Sequence, residues 1–579
     1  MYCPECGYKI EEDGALFCPE CGERIGEQDS VKTSPMAGVS AKDEAFAYGI
    51  ILTNVQLLAA KLGVDEKDFK ELMANFIEAK RSFGVSYQLV DAGNYTYRKK
   101  NFLGMSKTVH LGGGSEVWDY MDILMDIHNH EMDKALPESQ YLFIIGGDDI
   151  IPMPCVRHYV KDGHDKTIDT DILYAYPYGS DMLASLENQQ IFRYDQLFFV
   201  GRLPVSDDIS IEEFCSHLQR NIDYSDGIPV TQAYGQCDPN WKNVSATVAD
   251  GLVQRNLFRN FDGRLPGEFY FRRLILSPMV TINDVHQVFH KDASLYYFNL
   301  HGGDAMEARG YFGAPLRQKS TYPVLLPEHL GTCQAPNVVA CEACYGARFI
   351  DMDKHHSMLL TSLYTASLLF VGSSRVAWGN VDPASATMGF TPVQPLLADV
   401  IAMGFMEAIL EGYSAGQAMF LARSMVLQQD PDGSPHTAAT IIEFNLYGDP
   451  TLGMAVASEV KSVRKPIDKD ACKVKTADYG CVVEKVEWSS DGHSGSILQQ
   501  VRQAVDQNIA HIHDVVGRHL YAQYGIEPRP ASDIFKMKYA NGSKELNFCY
   551  DVSADASIPM TYIVRTTESG EIKSVISTR

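Results

Sequence analysis

No stretch of the 579-residue sequence approaches the roughly 20 uninterrupted apolar residues that a membrane-spanning helix requires. No signal peptide is visible either, since MYCPECGYKI has neither a basic stretch nor an apolar core. Positive charge is scarce. Fifty Lys and Arg stand against 74 Asp and Glu, and the net charge of −24 repels phosphate backbones and anionic lipid. Nucleic acid and membrane are therefore not expected as partners. Low-complexity tracts and internal repeats are also missing. Thirteen cysteines do not make a disulfide scaffold in so long a chain, and four of them sit in a metal-type pattern that suits a reducing compartment. The expected location is cytoplasmic.

What is present divides the chain. At roughly 100–200 residues per domain, the length implies several units. Residues 1–28 carry Cys3-x-x-Cys6 and Cys18-x-x-Cys21, each pair followed by glycine (Gly7, Gly22) that lets the chain fold tightly. Four thiolates satisfy tetrahedral Zn2+, and so short a segment cannot build a core without it. The expectation is a zinc ribbon with one structural zinc and no open position for catalysis. Residues 29–43 are small, polar and aperiodic and read as a linker. A second linker, Lys-rich and interrupted by proline, spans 457–480. Residues 481–579 combine a helical stripe with two strand pairs, the first turning at Asn541-Gly542 and the second near Ser569-Gly570, and are expected to form a small α+β domain.

Between the linkers, strands and helices alternate. YLFIIGG (141–147), LFFVGR (197–202), LYYFNLHGG (295–303), NVVACEAC (337–344) and SLLFVGSS (367–374) are continuous apolar runs. Such runs suit parallel strands covered by helices on both faces, a three-layer α/β sandwich. Two of them deliver a reactive side chain to the strand's C-terminal end, where open α/β sheets present functional groups. These are His301 of NLHGG and Cys344 of VVACEACYG, 43 positions apart. A cysteine nucleophile needs an imidazole to share its proton and backbone N–H groups aimed at the developing oxyanion. Glycine beside each residue permits close approach of substrate. On spacing alone the pair remains suggestive, because a strand-end His-Gly and a buried cysteine are often only structural.

YLFIIGGDDIIP, TDILYAYPYG, LFFVGRLPV, NLHGG, EACYGA and NLYGDPTL occur in the order found in gingipain-type cysteine peptidases of clan CD, which the segment of about 46–456 resembles. The resemblance implies a caspase-like, mostly parallel sheet in two subdomains, 44–230 and 231–456, with the second catalytic. It implies His301 as general acid and base, Cys344 as nucleophile, and the N–H groups of Gly302 and Cys344 as oxyanion donors. Trp378 of RVAWG resembles the wall of the S1 pocket. The expected activity is a regulated cysteine endopeptidase acting on a protein substrate through a thioester, with a regulatory protein or activator as a possible partner. The alternative is a non-proteolytic adaptor that recruits partners through its zinc ribbon and C-terminal domain. Cys341, three residues earlier and inside the apolar run, is the competing nucleophile. Asp171 of TDIL reads equally as a motif residue or a cap, and Asp304 as a residue that could orient the imidazole. The P1 preference is not legible.

Overall fold

The computed structural model describes residues 47–100, 106–110, 116–133, 140–157, 160, 165–177, 196–258, 266–304, 309–316, 318, 320–383, 389–430, 433–455, 481–486, 497–524, 526, 531–539, 541–553, 558 and 560–579. The zinc pattern of Cys3, Cys6, Cys18 and Cys21 and both expected linkers lie outside the described residues. Among those described, no helix is long and apolar enough to cross a membrane.

The apolar runs become strands of one eleven-stranded sheet. In chain order they are β1 (Ala47–Thr53), β2 (Val85–Asp91), β3 (Tyr141–Ile145), β4 (Phe199–Leu203), β5 (Ala233–Cys237), β6 (Tyr270–Phe271), β7 (Leu274–Leu276), β8 (Leu295–Asn299), β9 (Asn337–Cys341) and β10 (Ser367–Ser373). A short strand outside the sheet, β11 (Trp378–Asn380), precedes the last member, β12 (Phe444–Gly448). The spatial order is β6-β7-β5-β8-β9-β10-β12-β4-β3-β1-β2. Pairing is parallel except at β6/β7 and β10/β12. Every residue of β3, β5, β8, β9, β10 and β12 is buried, so both faces are covered, which is why these strands lack polar alternation.

β12 stands between β10, to which it is antiparallel, and β4, where the strands of 44–230 join those of 231–456, and several of the sequence motifs explain themselves there. Gly201 of β4 faces the Gly448 carbonyl so closely that a Cβ would overlap it, and Gly448 itself has φ 111°. Arg202 is fully buried. Its Nε and one terminal nitrogen lie 2.8 and 2.6 Å from the two carboxylate oxygens of Asp171, and its other terminal nitrogen donates to the carbonyls of Gly146 and Ile151. Asp171 thus binds an arginine and does not use its side chain as a helix cap. Asp449 makes a second buried pair with Lys80 at 2.9 Å and accepts from the Tyr87 hydroxyl at 2.6 Å. TDIL, GRLP and GDPTL are therefore framework motifs. Asp171→Ala leaves the Arg202 guanidinium buried without its counter-charge, and a loss of about 3–5 kcal/mol is expected. A urea melt unchanged from wild type contradicts this.

The C-terminal strands are β13 (Cys481–Lys485), β14 (Asp533–Tyr539), β15 (Lys544–Asp551), β16 (Thr561–Thr567) and β17 (Ile572–Thr578). Asn541-Gly542 and Ser569-Gly570 lie in the turns β14–β15 and β16–β17, with φ 86° at Gly542 and 91° at Gly570. The sheet order is β11-β17-β16-β15-β14-β13, antiparallel throughout, so the sheet takes in a strand from the preceding segment. Its residues alternate with a period of two. Ile534, Leu546, Phe548, Val564 and Val575 pack under the helix Ile497–Tyr524, against Ile512, Val516 and Leu520. Phe535, Met537, Cys549, Ile563 and Ile576 point the other way and join the main core.

Candidate active site

β5, β8 and β9 are adjacent and parallel, and their C-terminal ends gather Asp238, His301, Glu342 and Cys344. The ends are tied together. The Asp238 N–H donates to the Asn299 carbonyl at 2.9 Å and the Glu342 N–H to the Phe298 carbonyl at 2.8 Å. His301 extends β8 by bridging Phe312, with N–H to carbonyl bonds of 2.9 and 2.8 Å in both directions. Gly302 lies directly against the Cys344 backbone, where a Cβ would overlap the Cys344 carbonyl oxygen. Any larger residue would push the His301 and Cys344 backbones apart.

Cys344 stands in the turn after β9 and is followed by Tyr345 at φ 53°, an uncommon conformation for a bulky residue. Its surroundings hold that turn. The Tyr345 hydroxyl is 2.9 Å from both carboxylate oxygens of Asp165, and its N–H donates to the Arg375 carbonyl at 2.8 Å. The Cys344 Sγ accepts from the Ala377 N–H at 3.3 Å. Burial pushes its thiol above the ordinary range, with the Ala377 hydrogen bond opposing. Cys341 is the last residue of β9, buried beside Tyr311 and Gly346, and burial pushes its thiol up to about 12.

The last residue of the sequence, Arg579, also lies here. Its carbonyl oxygen accepts from the Gly302 N–H at 3.4 Å and from the Cys344 N–H at 3.2 Å, the two groups expected as oxyanion donors. Its own N–H donates to the Ala377 carbonyl at 3.0 Å. The side chain is fully buried, its guanidinium carbon 4.4 Å from the centre of the Trp241 ring. One terminal nitrogen meets Asp399 and donates to the Asn380 carbonyl at 2.9 Å, while Nε lies 3.6 Å from Glu342 Oε2. A Cβ at Gly379 would land on the guanidinium, so glycine makes room for it. Burial and the neighbouring Asp399 push the Glu342 carboxyl well above the carboxylate range, with Arg579 opposing.

His301 packs on the same Trp241 ring, centroids 4.5 Å apart, and its Nε2 is 3.8 Å from Asp238 Oδ2. Neither ring nitrogen has a hydrogen-bond partner among the described residues. Burial, and then the Arg579 charge, hold the imidazole down to about 3. That value lies below the free 6.5, so protonation favours the unfolded chain. The stability drawn from the neutral ring is lost as pH falls from 6.5 toward 3. Asp238 is buried and accepts from Asn240 and from the Ala314 N–H at 2.6 Å, and burial raises its carboxyl to about 7.

Asp238 thus occupies the place that Asp304 was a candidate for: Asp304 is exposed, whereas Asp238 is buried against the imidazole. Trp378 is fully buried, but its ring packs edge-on against His436, 5.3 Å between centroids. The backbone of β11 borders the guanidinium, and the ring stacked on it is Trp241. Sequence reasoning missed Asp238, Trp241, Gly379, Asp399, Glu342 and Arg579. Of these, Glu342 inside EACYGA and Gly379 inside RVAWG lay within motifs already singled out.

A model of peptidase family C25 matches residues 53–455. The chain belongs to peptidase family C25. It is accordingly a cysteine-type endopeptidase of clan CD. The structure resembles that of the Arg-specific cysteine proteinase gingipain R, at 11% identity over 93% of this chain and 91% of that one, with a TM-score of 0.43. It also resembles the complex of the pro- and mature domains of RgpB from Porphyromonas gingivalis, at 11% identity over 92% of each chain and a TM-score of 0.44. The separase–securin complex of Saccharomyces cerevisiae is more remote, with 12% identity over 43% of this chain and 14% of that one, and a TM-score of 0.25. Such distant likenesses carry no residue roles across. Among curated proteins there is no match.

Proposed function

We propose that this C25 peptidase cleaves protein substrates after arginine, with Cys344 as nucleophile and His301 as general acid and base. One observation carries the reading: the carbonyl oxygen that receives both the Gly302 and Cys344 N–H groups belongs to an arginine whose guanidinium rests on Trp241 between Asp399 and Glu342. In a substrate, Sγ attacks the carbonyl carbon of the P1 residue and negative charge grows on an oxygen already facing those donors. The proton passes through His301 to the leaving amine, and water drawn by His301 then hydrolyses the thioester. Asp238 acts through His301 as a positioning residue. Arginine is favoured over lysine because its flat, forked cation meets the ring and two acids at once, whereas an ammonium is a single point charge. A cleavage profile over a peptide library is expected to show arginine leading at P1, lysine weaker and aspartate absent. Any other leading residue contradicts the reading.

We further propose that Cys3, Cys6, Cys18 and Cys21 hold one structural zinc that takes no part in catalysis. Elemental analysis should give one zinc per chain, lost on deletion of residues 1–28 with peptide turnover unchanged. Zinc that persists in the shortened chain, or turnover that collapses with it, contradicts this assignment.

A further inference from the structure

Resting on that reading of the site, we propose that the chain's own C-terminal strand, β17 with Arg579, is a built-in pseudosubstrate that keeps the peptidase latent. β17 adds to the short strand β11 as an extended peptide would. The pairing is antiparallel, with Trp378 opposite Thr578, Gly379 opposite Ser577 and Asn380 opposite Ile576. This is recognition by strand addition, in which main-chain bonds supply affinity and a pocket supplies specificity. Thr578, Ser577 and Ile576 thus lie where P2, P3 and P4 residues would lie. Arg579 fills the pocket and the donors at once, so a substrate arginine has no place to enter while it stays.

The occupant does not hang free. On its other edge β17 pairs with β16, Ser577 opposite Tyr562 and Ile576 opposite Ile563. The sheet behind it is docked through Phe535, Met537, Cys549 and Ile563, which with Val160, Pro435 and His436 line one interior interface. Ile558 packs on Phe312, and Val552 and Met560 on Ala314, in the segment that bridges His301. Opening therefore requires either the last residues to peel from β11 or the whole sheet to lift. The contact also disarms the dyad. With Arg579 in place, the imidazole is buried, has no hydrogen-bond partner among the described residues and lies beside a cation. Its departure removes the cation and admits water.

A tethered strand at an effective concentration of roughly 1 mM, binding with an affinity of roughly 10 µM, leaves about one molecule in 100 open. In the full chain, Arg579→Ala should raise turnover of a coumarin-linked arginyl peptide by about 100-fold, and Arg579→Lys by less. A synthetic peptide of residues 571–579 should inhibit the Arg579→Ala protein competitively, and the same peptide ending in alanine should not. A wild type as active as Arg579→Ala, with Cys344→Ala dead, would overturn the inference while leaving the proposed function standing. So would an Arg579→Ala protein that loses melting temperature, gains no activity and is not inhibited by the peptide. No cleavage and no labelling of Cys344 in any form would overturn the reading beneath it and the inference together.

Discussion

In the open Arg579→Ala protein, Cys344→Ala and His301→Ala each lower kcat/KM for an arginyl peptide by about 10⁴-fold or more, without changing the fold. The two act as one unit, because the thiol requires the imidazole to take its proton and the leaving amine requires it back. The double variant is therefore no worse than either single one, and additive losses would argue against a shared step. Cys341→Ala keeps most of its activity. Cys341 is the last residue of β9, buried beside Tyr311, whereas Cys344 stands in the turn whose N–H faces the Arg579 carbonyl. Activity retained in Cys344→Ala and lost in Cys341→Ala would move the nucleophile.

The second large effect concerns the pocket. Asp399 meets the guanidinium directly and also accepts from the N–H groups of Asn380 at 2.8 Å and Leu396 at 3.0 Å. Asp399→Asn keeps the shape and an acceptor for those groups but removes the charge. Removing one partner of a buried charged pair costs about 2–5 kcal/mol, which is about 30- to 5,000-fold in kcat/KM for an arginyl substrate. The loss is selective: turnover of a poor substrate with a neutral P1 residue changes little. Glu342→Gln costs less, because Glu342 Oε2 lies 3.6 Å from the guanidinium Nε, farther than the Asp399 contact, and the carboxyl, which burial pushes well above the carboxylate range, also accepts from the Tyr297 hydroxyl at 2.7 Å. Equal losses for arginyl and neutral substrates would show that the variant had damaged the fold and not the reading of charge.

The reactive strand ends were legible because burial on both faces leaves a plain signal, a continuous apolar run that stops at a functional residue and glycine. His301 and Cys344 could be singled out that way, and the runs carrying them do pair as neighbours. The pocket could not be read. Asp238 and Trp241 share the turn after β5, whereas Asp399 and Arg579 come from two other segments; the three meet only through the tertiary fold, and none of the four residues sits in a pattern that spacing reveals. Asp171 and Arg202 were visible as motif residues, but their buried ion pair was not, since a motif does not say whether it serves chemistry or framework. β14 to β17 were readable as two strand pairs, but β13 was not read as a strand, nor was the sheet that they share with β11. In ELNFCY (545–550) the alternation of Glu545 and Asn547 with Leu546, Phe548 and Tyr550 reads as a strand with one exposed polar face, yet Glu545, Asn547 and Cys549 are buried as well.

The central claim is that Cys344 reacts at a site that reads arginine. Its most direct test is to treat the Arg579→Ala protein with a peptidyl-arginyl acyloxymethyl ketone and map the adduct by mass spectrometry. The account predicts one adduct per chain, on Cys344, absent from the same protein carrying Cys344→Ala and suppressed when the reagent carries aspartate in place of arginine. An adduct on Cys341, or none at all, would contradict it.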